Sequence, residues 1–114
     1  MNITIGKAEI KLTPMMREYI EVKIGTLARF IKRFETVRET QVMIEVTQPS
    51  RHHRQGNGFS VSAALAFPHK ALFVKEFHED FHAAVDLLKD SLKSRILDFK
   101  ERAVGDRLRV RDKK

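Results

Sequence analysis

The residues able to do chemistry in this chain are its cations. Lysine and arginine number 22 against 15 aspartates and glutamates, a formal net charge of +7 over 114 residues. The isoelectric point is about 10.0. Such an excess attracts polyanions, a nucleic-acid backbone first and an anionic membrane surface second. A helical wheel sets Arg17, Arg29, Lys32 and Arg33 of a first amphipathic helix away from its apolar stripe, with Lys23 at the margin. In a second helix Lys89, Lys93 and Lys100 share one flank, and Arg95 and Arg102 share the other. If both helices lie on one side of a sheet, these side chains add to one positive field. That field suits a phosphate backbone, because each neutralised phosphate releases a condensed counterion. Arg51, His52 and Arg54, in a glycine-flanked polar loop, are a further candidate phosphate contact. Glu18, Glu21, Asp86, Asp90, Asp98 and Glu101 are interleaved with the helical cations, so a merely solvated surface is the competing reading.

Other chemistries find little support. The chain has no cysteine, which removes disulfides, thiol catalysis and cysteine-bound zinc or iron–sulfur sites. His52 and His53 are adjacent and diverge, between arginines that repel divalent ions. His78 and His82 flank Asp80, a helix N-cap, so one helical face cannot hold both. No metal or cofactor site is therefore expected. Nucleophile elbow and phosphate-loop motifs are missing, and five glycines leave little room for a nucleotide cradle. The expectation is a non-enzyme. No apolar run approaches the ~18–20 residues of a membrane span. The opening MNITIGKAEIKLTP alternates where a signal peptide would be continuously apolar. A cytoplasmic protein without membrane attachment is expected.

The elements that must position these cations follow from periodicity. Ile3 and Ile5, then Ala8, Ile10 and Leu12, alternate as a strand whose parity shifts at Gly6-Lys7. Thr13-Pro14 reads as an N-cap with proline at the first helical position. Met16, Ile20, Ile24, Leu27, Ile31 and Phe34 then mark one amphipathic helix of about five turns. Val42, Ile44 and Val46 alternate on a second strand, Phe59 to Phe67 on a third, and Ala71 to Phe77 on a fourth. Asp80 caps a last helix whose stripe runs from Phe81 to Ala103, with Gly105 as its C-cap. The order β-α-β-β-β-α predicts an α+β two-layer sandwich, a four-stranded sheet with two helices on one face. Residues 1–104 form the domain and 105–114 a flexible basic tail.

The residues also resemble a known family. The opening MNITI, with Thr13, Pro14, Arg17, Glu18, Tyr19, Ile20, Lys23, Ile24 and Leu27, is similar to the first strand and helix of the ribosome hibernation-promoting factors. The stretch Glu79 to Leu92 is similar to the segment opening that family's last helix. The resemblance spans about residues 1–103 and implies a short form without the family's C-terminal dimerisation domain. It implies a translation inhibitor bound in the mRNA and tRNA channel of the small ribosomal subunit during starvation or stationary phase, monomeric off the ribosome. Arg17, Lys23 and Arg33 match family positions in the first helix, and Lys100 and Arg102 match basic positions late in the second. Ser91, Ser94 and Asp98 stand where relatives commonly carry basic residues, leaving Lys89, Lys93 and Arg95 as the neighbouring cations.

Two other functions fit the same elements. A free double-stranded-RNA module would share the element order and bind along minor grooves. A protein-interaction module would use the uncovered sheet face, where Phe73 and Phe77 alternate with Leu72 and Val74.

Overall fold

The computed structural model describes residues 1–6, 12–32, 39–48, 58–67 and 70–112, with side chains through Arg102. Its elements are β1 (Asn2–Ile5), α1 (Pro14–Gly25), α2 (Ala28–Ile31), β2 (Gln41–Thr47), β3 (Phe59–Phe67), β4 (Lys70–His78) and α3 (Phe81–Asp112). The sheet order is β1-β2-β3-β4, with β1 and β2 parallel and the other pairs antiparallel. This is the expected four-stranded α+β architecture. Ala8, Ile10, Arg33, Phe34, the loop holding Arg51, His52 and Arg54, and the Pro68-His69 turn lie outside the described residues.

Alternation decides which strand residues meet the helices. Val42, Ile44 and Val46 of β2, Val61, Ala63 and Leu65 of β3, and Leu72 and Val74 of β4 are buried on one face. Against them pack Ile20 and Ile24 of α1, Leu27 at the N-cap of α2 and Ile31 within it, and Ala84, Val85, Leu88, Leu92 and Ile96 of α3. Each fully buried aliphatic side chain contributes roughly 1.5–3 kcal/mol, so this shared core fixes the helices on one side of the sheet. The opposite face carries Met43, Phe73 at 59% exposure and Phe77 at 48%. The Phe77 ring lies over Gly58, where a Cβ would stand 2.0 Å from its Cζ. Only glycine leaves that ring its place.

Capping agrees with the sequence. Thr13 Oγ1 accepts from the Met16 amide at 3.1 Å, and Asp80 Oδ2 accepts from the Ala83 amide at 2.9 Å. Two helix boundaries differ. The first helix is not continuous: α1 ends at Gly25, and the Leu27 and Phe30 amides bond three residues back, to Ile24 and Leu27 carbonyls at 3.0 and 2.9 Å. Glycine is a poor helix former, and the Thr26 hydroxyl bonds the Lys23 carbonyl at 2.6 Å, so the turn tightens there. At the other end α3 does not stop at Gly105 but runs to Asp112. One interior glycine costs only about 1 kcal/mol, which neighbouring helix formers such as Arg107, Leu108 and Arg109 offset.

Candidate nucleic-acid interface

Lys89 and Lys93 stand four residues apart on α3, hence on one face of that helix, and α2 packs beside them. With Thr26, Arg29 and Phe30 they line an open groove of about 410 Å³. Phe30 packs its inner side on the core, which holds its ring in place. The Arg29 Cζ lies 4.7 Å and the Lys93 Nζ 5.2 Å from that ring's centroid. Ring quadrupole and cation attract at such distances, so one ring holds both charges beside the groove despite their repulsion. Among the described residues no carboxylate lines the groove. Among the described residues Arg29, Lys89 and Lys93 enter no ion pair. The arrangement is a cationic cleft with an aromatic floor, able to bind an anion.

The other flank of α3 is differently composed. Arg95 and Arg102 line a second groove with Lys70, Ala71, Leu72, Asp98 and Phe99, against β4. Arg102 Nη2 lies 3.3 Å from Asp98 Oδ2, one turn earlier on the helix. Phe99 stacks on Phe67 at 4.7 Å between centroids, and the Lys70 ammonium sits 6.0 Å from the Phe99 ring. Glu76 is close by, accepting a hydrogen bond from the Ser91 hydroxyl at 2.6 Å. Cations and carboxylates alternate here, so the field is weaker than the count of positive residues suggests.

Lys23 meets a third environment where α1 packs on α3. Its ammonium is 3.6 Å from Asp86 Oδ1, and the Tyr19 hydroxyl donates to the same oxygen at 2.7 Å. That hydrogen bond, burial, and the negative charges of Asp86 and Asp80 hold the Tyr19 phenol above its usual range. Tyr19 therefore remains a neutral donor at physiological pH. The His82 ring meets it edge-on, 4.4 Å between centroids.

The sequence-expected cations thus divide. Arg29, Lys89 and Lys93 come together, Arg95 and Arg102 share the opposite groove, and Lys23 is paired. Arg17 and Lys32 are exposed and Lys100 half-buried, outside both grooves. The single positive field expected from helical wheels is instead split between two flanks, because α2 faces one side of α3 and β4 the other. Sequence reasoning missed Phe30, Thr26 and Lys70. The signal for Phe30 was available: an aromatic residue between Arg29 and Lys32 at the edge of the apolar stripe. Among the described residues no group of three or more histidines, aspartates and glutamates is placed to hold a metal ion. No described helix is long and apolar enough to cross a membrane.

Comparison with known proteins adds a family. Residues 3–104 match the family described as sigma 54 modulation protein / S30EA ribosomal protein. A ribosome hibernation promotion factor of Deinococcus radiodurans is 30% identical over 98 residues, covering 86% of this chain and 48% of that protein. The chain thus spans about half the length of that relative. A ribosome hibernation promoting factor of Azotobacter vinelandii is 27% identical over 104 residues, covering 91% of this chain and 87% of that protein. Among solved structures, the N-terminal domain of Thermus thermophilus protein Y superposes with a TM-score of 0.67 at 23% identity, covering 87% of this chain and 99% of the other. A ribosomal subunit interface protein from Coxiella burnetii gives the same score at 20% identity, covering 89% and 99%.

Proposed function

The chain belongs to the sigma 54 modulation protein / S30EA ribosomal protein family, and from that membership we propose that it is a non-catalytic ribosome-hibernation factor of the cytoplasm. It binds the small ribosomal subunit as a monomer, occupies the mRNA and tRNA channel, and blocks translation in starvation or stationary phase. The observation that carries this reading is the cluster of Arg29, Lys89 and Lys93 on the helical layer, in no ion pair among the described residues, in a chain whose relatives carry the hibernation name. Docking is stoichiometric. The rigid sandwich supplies shape, and the helical cations supply attraction to rRNA phosphates, which position without reading sequence. In this reading Arg17, Lys32 and Lys100 add long-range attraction, the charge of Arg33 adds to the net excess, and Lys23, Arg95 and Arg102 contribute less.

Sedimentation of the purified chain with small subunits tests it. Co-migration is expected, lost on adding mRNA with initiator tRNA and weakened by salt. Failure to co-migrate, or co-migration indifferent to mRNA and tRNA, overturns it. Tight binding to free duplex RNA would favour a double-stranded-RNA module instead. Salt-insensitive protein association abolished by Phe73→Ala would favour the open sheet face.

A further inference from the structure

We propose that the groove between α2 and α3 is a discrete phosphate seat in which Arg29, Lys89 and Lys93 grip one phosphate group, and that Phe30 is the residue that positions them. This rests on the ribosome-binding reading for its natural source, an RNA backbone phosphate, while a free phosphorylated metabolite offers the same chemistry. Among the described residues three cations and no carboxylate line the groove. The Thr26 hydroxyl already gives its hydrogen to the Lys23 carbonyl, so the side-chain donors left for an anion are the three cations. A guanidinium fork beside two ammonium groups suits a tetrahedral oxyanion, whose oxygens take charge-assisted hydrogen bonds of about 2.7–2.9 Å.

Phe30 makes this more than a local surplus of charge. Flexible lysine and arginine side chains lose rotamer freedom on binding, and like charges resist being gathered. The Phe30 ring, anchored on the core, draws the Arg29 guanidinium to 4.7 Å and the Lys93 ammonium to 5.2 Å before any ligand arrives. Gathering and immobilisation are therefore partly done in the free protein. On the opposite flank the Phe99 ring draws one cation, Lys70 at 6.0 Å, and Asp98 lies among the cations.

The consequence is a split between affinity and salt dependence. Removing Arg29, Lys89 or Lys93 removes a charge, so Lys93→Ala should weaken binding to small subunits about tenfold and reduce the salt slope by about one. Phe30→Leu keeps the charges and the apolar packing, so affinity should fall about three- to fivefold at unchanged slope. Phe30→Tyr, which keeps the ring, should restore it. A matched Arg95→Ala should cost under about threefold. Thermal melts of each variant confirm folding, and the Tyr variant separates loss of the ring from loss of packing. In a parallel arm, the full chain is titrated with inorganic phosphate while NMR follows the side-chain resonances of Arg29, Lys89 and Lys93. Saturable shifts in the parent and in Arg95→Ala, abolished in Lys93→Ala, support the seat. The two arms also separate the sources. A seat that binds free phosphate but leaves subunit affinity untouched in Lys93→Ala assigns it to a small phosphorylated ligand. Phe30→Leu binding phosphate and subunits like the parent, or Arg95→Ala matching Lys93→Ala, overturns the proposal while co-sedimentation of the parent leaves the hibernation reading standing. Absence of co-sedimentation overturns that reading, and the phosphate titration still decides the seat.

Discussion

Helix α3 carries two cationic flanks that a residue count makes equal and the structure makes unequal. Toward α2, Lys89 and Lys93 share a groove with Arg29 and Phe30, with no acid among the described lining residues. Toward β4, Arg95 and Arg102 share their groove with Asp98, and Arg102 is already paired to it. Exposed pairs of this kind contribute only about 0.5 kcal/mol, yet they cancel the field a ligand would feel. Position relative to carboxylates, and to an aromatic ring that organises the charge, sets the strength of such a surface.

The largest effect should come from reversing charge on each flank in turn. Lys89→Glu with Lys93→Glu and Arg95→Glu with Arg102→Glu change the net charge by the same amount, so long-range attraction falls equally in both. Any difference between them is local. The first pair should reduce affinity for small subunits about a hundredfold or more, the second about tenfold or less, at matched ionic strength. Equal losses would mean that only net charge matters, and the flank comparison would fail.

A smaller effect follows from releasing a paired cation. Asp86→Ala frees Lys23, on the α2 side of α3, and deprives the Tyr19 hydroxyl of its acceptor. The salt slope of subunit binding should steepen, with affinity up about two- to fivefold, while urea unfolding shows a loss of about 1 kcal/mol. Asp98→Ala frees Arg102 on the other flank; stability should change by under about 0.5 kcal/mol and affinity hardly at all. If Asp98→Ala strengthens binding as much as Asp86→Ala, the β4 flank participates equally.

Much of this arrangement was legible in the sequence. Alternation in Val42-Ile44-Val46 and Phe59 to Phe67, and the caps Thr13 and Asp80, define elements because burial and capping act over a few residues. The division of the first helix was not legible, since Ile24, Leu27 and Ile31 keep helical spacing across the tightened turn at Thr26. Gly105 misled for the converse reason: a single glycine is a weak stop when helix formers continue beyond it. In the candidate site, the wheel placed Lys89 and Lys93 together and Arg95 and Arg102 apart from them. It could not show that Phe30 would gather two cations, or that Asp98 and Asp86 would neutralise two others, because those contacts depend on rotamers and on packing between helices.

The smallest effect on subunit binding lies at the α1–α3 junction, where the sign of the stability change is fixed by Tyr19. The phenol is held above its usual range by its hydrogen bond to Asp86, by burial, and by the charges of Asp86 and Asp80. The unfolded chain therefore releases this proton at lower pH than the folded one. The stabilisation is complete below the unfolded value of about 10 and is lost as pH rises through the higher folded value. Tyr19→Phe lacks both the bond and the titration. The parent should exceed it in unfolding free energy by about 1 kcal/mol from neutral pH to about pH 9, and the gap should close progressively above about pH 10. Because Tyr19 lies outside the α2 groove, Tyr19→Phe should bind small subunits like the parent at neutral pH. A gap that stays constant through the alkaline range would show that the hydroxyl contributes by packing alone. A loss of subunit affinity would show that the α1–α3 junction, and not only the cleft around Phe30, sets the binding surface.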